Sequence, residues 1–297
     1  MEVIGNQLFV GLSIASILLL VALGLTFTFG QMNVINMAHG EFIMAGAYTT
    51  HSVQLALGAS AVTLGFGLAL PAAFVVAGTL GLILEFLVIR RLYGRPLDTL
   101  LVTWGIGLML QQLARDIYGA QNVNVEAPSV LDGGVTVGGI DMSYPRLFII
   151  GLVVLVVIAI ALYLQRTPAG RRMRAVMQNR SLAAVSGVRT TRVDRTTFFI
   201  GSGLAGLAGV GITLLGPIGP TLGLAYIIDA FLVVIVGGLG QLRGAILAAL
   251  ALGMANSFIE YNTSTSIAKA GVFALIILFL QWRPQGLIVQ QRRGLAT

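Results

Sequence analysis

The chain has 297 residues, 57% of them hydrophobic and only 10% charged, with a formal net charge of +7. So little charge excludes a water-soluble domain, whose surface has to be solvated, and the absence of cysteine excludes a disulfide framework or a thiolate site. The positive balance does not mark a nucleic-acid partner, because the arginines gather in short segments between apolar runs, as the positive-inside bias of membrane proteins produces.

Apolar windows of about 18 to 25 residues recur along the chain, each enough to cross a hydrocarbon layer of about 30 Å. The first, 8–29, has no basic residue ahead of it, the first being Arg90. It therefore lacks the charged start of a cleavable signal and reads as a retained helix. The next stretch, "GQMNVINMAHGEFIMAGAY" (30–48), sets Gln31, Asn33, Asn36, His39 and Glu41 between two apolar helices. Two readings stand side by side. Either 30–37 is a water-facing turn and Glu41 suits the positive first turn of the next helix, or the break lies at membrane depth and lines a pathway.

Further spans are expected at 38–57, 61–89, 97–117 and 147–164. The third is long enough to tilt, or to break at Pro71, and its Glu85 reads as structural beside Arg90 and Arg91. The fourth carries Gln111 and Gln112. Segment 119–145, nearly free of arginine, is expected outside. Segments 90–96, 165–195 and 283–297, rich in arginine, are expected in the cytoplasm.

The long basic segment contains "TPAGRRMRAVMQNRSLAAVSGV" (167–188). Thr167 suits an N-cap, Pro168 the first helical position and Gly187 a helix end. Met173, Val176 and Met177 make a short apolar face, and Arg171, Arg174 and Arg180 point elsewhere. Such a helix either docks on a cytosolic partner or lies on anionic membrane lipid.

Spans at 196–215, 222–236, 245–259 and 267–282 follow, with Trp282 as an interfacial anchor. Gly201, Ala205 and Gly209 recur every four residues, which suits close helix packing within one bundle or a dimer seam. Window 222–236 is short, carries Asp229 and either spans or re-enters. It belongs to "GPIGPTLGLAYIIDAF" (216–231), a second interruption following the first span of the second half. On the expected topology those two first spans run in opposite directions, the pattern of an inverted repeat with broken helices.

The expectation is an all-α polytopic membrane protein of about 8–10 transmembrane helices, with broken or re-entrant segments and an inverted repeat. It forms one permease domain, 1–297, with the N-terminus outside and the C-terminus inside. The only lysine, Lys269, stands in "SIAKAG", so no Walker A loop exists and any ATPase must be a separate subunit. With two histidines and no thiol, neither a metal site, a cofactor site nor an enzymatic constellation is expected.

The blocks "GLTFTFGQMNVINMAHGEFIMAGAY", "AGRRMRAVMQNRSLAAVSGV", "VVIVGGLGQLRGA" and "RPQGL" together resemble the permease subunits of branched-chain amino-acid-type ABC importers. "LYGRPLDTLLVTWGIGLMLQQ" makes the chain most similar to the first permease of urea importers. The resemblance implies a homologous second permease, two cytosolic ATPase subunits and a periplasmic or surface substrate-binding protein. It also implies that 165–195 couples ATPase closure to the pore through Gly170, Arg171, Arg174, Met177, Ala183, Ala184 and Gly187. The family opens the small-residue part with Glu where Leu182 stands here. Asn33, Asn36, His39, Glu41, Gln111, Gln112 and Asp229 are the pathway candidates. Their amide chemistry suits urea and equally the polar ends of a neutral amino acid.

Overall fold

The computed structural model describes residues 2–288, so Arg292 and Arg293 of the basic tail lie outside the described residues. The first half contains α1 (Glu2–Met32), α2 (His39–Leu57), α3 (Val62–Leu87) and α4 (Pro96–Tyr118). A two-stranded hairpin, β1 (Gly134–Val137) and β2 (Ile140–Ser143), precedes α5 (Tyr144–Arg166) and the short helices α6 (Pro168–Gln178) and α7 (Arg180–Val185). The second half contains α8 (Thr190–Thr213), α9 (Leu222–Gly237), α10 (Leu242–Asn262) and α11 (Thr265–Trp282). Every predicted span falls on a helix.

Among the described residues, seven helices are long and apolar enough to cross a membrane. The exceptions in the bundle are α2, which opens on His39 and Glu41, and α9, whose 16 residues extend about 24 Å. Prolines at the first turn start α4, α5 and α6, where the missing N–H has no helical partner to lose. Pro71 does not break α3, which runs continuously from Val62 to Leu87. The proline is exposed on one side, and Ala69, Ala73 and Ala77 carry the packing on the other.

The centre of the bundle is α1 against α8. Their apolar windows are each 78% buried, against 17% for α11 and 22% for α5. Ser16 and Thr26 of α1 are satisfied within the helix, donating to the carbonyls of Leu12 and Ala22. The two helices touch backbone to backbone, and a Cβ on Gly201 would lie 2.9 Å from the carbonyl oxygen of Gly24.

α1 runs from the hairpin, where Asn6 Oδ1 accepts from the Asp141 N–H, towards α6, where Gly30 lies beside the Met177 methyl. α8 starts beside α7 and runs the opposite way, leading to Ile218, which pairs with Val123 of the 119–145 segment. Their neighbours correspond: α3 packs along α8 as α10 packs along α1, and α4 meets α2 as α11 meets α9. This is an inverted repeat of four helices, with α5 to α7 as the connection. The arginine-rich segments gather at one end of the bundle, where Tyr93 meets Met32 and Leu287 N–H donates to the Val236 carbonyl. The 119–145 segment covers the other end.

Candidate functional site

The first interruption doubles back into the bundle. α1 ends at Met32, yet His39 Nε2 lies 3.3 Å from the carbonyl oxygen of Val21. Val21 is three turns earlier on α1, about 16 Å back along its axis. Residues 33–38 make that return and close in a turn, where the His39 N–H donates to the Asn36 carbonyl at 3.3 Å. Asn33 makes the turn in the left-handed region at φ 53°, which asparagine tolerates. The water-facing reading of 30–37 is therefore corrected, because Asn33 is exposed while Gln31 and Asn36 are buried.

At the start of α2, Asn36 Oδ1 accepts from the Ala38 N–H at 3.1 Å, and Thr103 of α4 accepts from the Met37 N–H at 3.0 Å. Gln111 of α4 donates to Glu41 Oε1 at 2.8 Å. Asn36 Nδ2, His39 Nδ1 and Glu41 Oε2 are buried and make no hydrogen bond among the described residues. Gln112 does not join this group, since it faces outward and donates to Asp116 at 2.8 Å. Its neighbour in sequence points inward because adjacent helix positions lie on different faces.

The second interruption meets the first. α9 begins at Leu222, and a Cβ on Gly40 would lie 2.8 Å from the Gly223 carbonyl oxygen. The two short helices thus start against each other and lead away towards opposite ends of the bundle.

Asp229, for which no partner is legible nearby in sequence, faces Lys269 of α11, with Nζ 3.7 Å from Oδ2. Both line a cavity of about 380 Å³ among α1, α9, α10 and α11.

The arginine-rich connection is two helices, not the single rigid helix expected. Thr167 caps α6, its Oγ1 accepting from the Gly170 N–H at 2.9 Å. Gly170 itself packs on the backbone of Tyr163 and Leu164, leaving no room for a side chain. Asn179 then interrupts the helix and caps α7 by accepting from the Leu182 N–H at 2.9 Å. Gly187 ends α7 at φ 83°, a conformation that a side chain would strain.

The apolar face of α6 is turned into the chain's own bundle. Met173 and Val176 are buried in it, and Met177 reaches Gly30 and Gly240. Arg171, Arg172 and Arg174 form the exposed face, along with Leu182 and Ala184 of α7, while Ala183 is buried. Met173 is buried and Met177 half-buried against the bundle, so the arginines are what α6 presents outward.

Arg180 also departs from expectation, because it points inward. Its guanidinium grips both oxygens of Asp194, at 2.9 and 2.5 Å, and these bonds raise its pKa above the ordinary arginine value. Asp194 is fully buried and also accepts from Gln31 Nε2 at 2.6 Å. Gln31 in turn accepts from Thr197 at 2.7 Å. Tyr93, whose hydroxyl is pushed up by burial, donates to Glu85 at 3.3 Å and has its ring 5.1 Å from the Arg180 guanidinium carbon. Arg195 faces the other oxygen of Glu85 at 3.8 Å. Sequence reasoning missed Asp194 and Lys269. The available signals were a lone carboxylate in "TRVDRT" and a lone lysine in an apolar helix.

Broken helices meeting inside an inverted repeat, with buried polar groups at the break, define a class: a polytopic permease. The chain belongs to the family described as branched-chain amino acid transport system / permease component, whose profile matches residues 7–280. Membership makes it a non-catalytic membrane component of a transport system. It is 30% identical to the high-affinity branched-chain amino acid transport system permease protein BraD of Pseudomonas aeruginosa, over 95% of each chain. It is 29% identical to the corresponding LivH protein of Escherichia coli K12, over 95% of this chain and 94% of that one. The LivM permease protein of the same organism is 28% identical, over 94% of this chain and 69% of LivM. No solved structure matches the chain.

Proposed function

We propose that the chain forms the translocation pathway of an ATP-driven importer for branched-chain or other neutral amino acids. Solute would pass the junction where α2 and α9 begin. The observation that carries this reading is the Gly40–Gly223 contact ringed by Asn36, His39, Glu41 and Gln111. Asn36 Nδ2 and Glu41 Oε2, unpartnered among the described residues, offer a donor to a carboxylate and an acceptor to an ammonium group, and unwound backbone adds carbonyls.

The similarity of the chain to both LivH and LivM of one organism supports a homologous second permease as its neighbour. Two cytosolic ATPases and an external binding protein complete the set by family analogy. The exposed arginines of α6 are the surface for an ATPase, with Gly170, Ala183 and Gly187 shaping the loop. The N-terminus would lie outside, the C-terminus and α6 in the cytoplasm, and the membrane a bacterial inner membrane.

Urea is the second reading, favoured by the neutral amide and hydroxyl groups of Asn36, Gln111 and Thr103 around the break. The test is reconstitution with the second permease, the ATPases and the binding protein, comparing leucine with urea uptake. ATP-dependent leucine uptake is expected, with none from this chain alone. Selective urea uptake would replace the cargo, and concentration of solute by the isolated chain would replace the importer with a self-sufficient transporter.

A further inference from the structure

Lys269 is the only lysine in the chain; it stands in the second turn of α11 opposite Asp229, with its side chain 45% exposed against 23% for the aspartate. Their 3.7 Å separation exceeds hydrogen-bond length, so the two charges face each other without closing. Charges within a membrane protein face a cavity or a partner, and this pair has both. The cavity of about 380 Å³ onto which it opens has aliphatic walls, including Ile14 and Ile17 of α1 and Val272 and Ile276 of α11. Tyr226 of α9, Asn256 of α10 and Thr265 of α11 add polar groups to the lining.

We infer that this cavity binds a zwitterionic α-amino acid with a branched aliphatic side chain. The ligand carboxylate sits on Lys269, its ammonium on Asp229, and its side chain against Ile14, Ile17 and Ile276. A zwitterion exchanges one loose ion pair for two close ones and adds no net charge to an apolar site, so the desolvation penalty on each ion stays compensated. A free amine or a free acid lacks one half of that exchange and leaves one protein charge unpaired. Urea offers neither charge and leaves the pair as it is. The site rests on the importer reading and narrows its cargo.

Because the chain has one lysine, reductive methylation with isotope-labelled formaldehyde marks a single side chain, and dimethyl-lysine keeps its positive charge. In nanodiscs, L-leucine is expected to shift that resonance saturably. Leucinamide and isocaproate should bind at least about tenfold more weakly, urea should cause no shift, and Asp229→Asn should weaken leucine by a similar factor. A resonance unmoved by leucine, or moved equally by leucinamide or urea, overturns the site. In the reconstituted complex, Asp229→Asn should raise the KM for leucine while largely sparing kcat. If the complex imports leucine and Asp229→Asn leaves KM unchanged, the site falls and the importer reading stands. A leucine-shifted resonance without ATP-driven uptake gives the reverse.

Discussion

Asp194 shows how much one carboxylate can organise. It ties α7 through Arg180 to the last turn of α1 through Gln31, so the arginine-rich connection and the re-entrant segment share an anchor. Arg180→Ala would leave the carboxylate buried without its counter-charge, which costs up to about 3 kcal/mol after discounting for the partial exposure of the arginine. Thermal unfolding should show a lower melting temperature, and the exchange of Arg180→Asp with Asp194→Arg should recover part of it. Asp194→Asn is expected to be milder, because the amide still meets Gln31. Thr167→Ala removes the cap of α6 and should cost about 1 kcal/mol, seen as faster proteolysis of the 167–188 connection. Neither Asp194 nor Lys269 advertised its partner. Arg180 is fourteen positions before Asp194 and Lys269 forty after Asp229, and local spacing carries no record of pairing between helices.

Elements were more legible than contacts. Helix positions followed from apolar length and from proline at first turns, both local properties of the chain. The path of residues 33–38 did not, because polar residues satisfy a turn and a buried break equally well. Only the bond between His39 and Val21 settles it, and that is a tertiary event. The contact between the starts of α2 and α9 predicts that Gly40→Leu, which has no room against Gly223, abolishes uptake or opens a leak while the other helices still insert. Liposome flux of a small solute distinguishes the two outcomes. On α6, replacing the exposed Arg171 and Arg174 together should lower ATP-coupled uptake several-fold without loss of membrane insertion. Unchanged uptake would remove α6 from the ATPase contact.

At the scale of the whole molecule, the inverted repeat was readable from two interruptions at corresponding places, although the halves share little sequence. What preserved it is packing: small residues at Gly24, Gly201, Gly40 and Gly223 let four helices cross about one pseudo-axis. The orientation of that bundle is open to a direct test, since the chain has no cysteine. Single cysteines placed in 119–145 should react with a membrane-impermeant reagent on intact cells, and those in 167–188 only after lysis. The reverse pattern would turn the molecule over and remove the arginines from the ATPases.

The central burial of α1 also bears on how the protein is made. Its neighbours are α8 and α10, and its hydrogen bond from Ser257 to Gln7 spans 250 residues. At roughly 5 to 20 residues per second, α1 leaves the ribosome tens of seconds before the last of the helices that enclose it. Until then its glycines and hydroxyls face lipid or the insertion machinery, so a chain stopped before α8 should be a substrate for quality-control proteases.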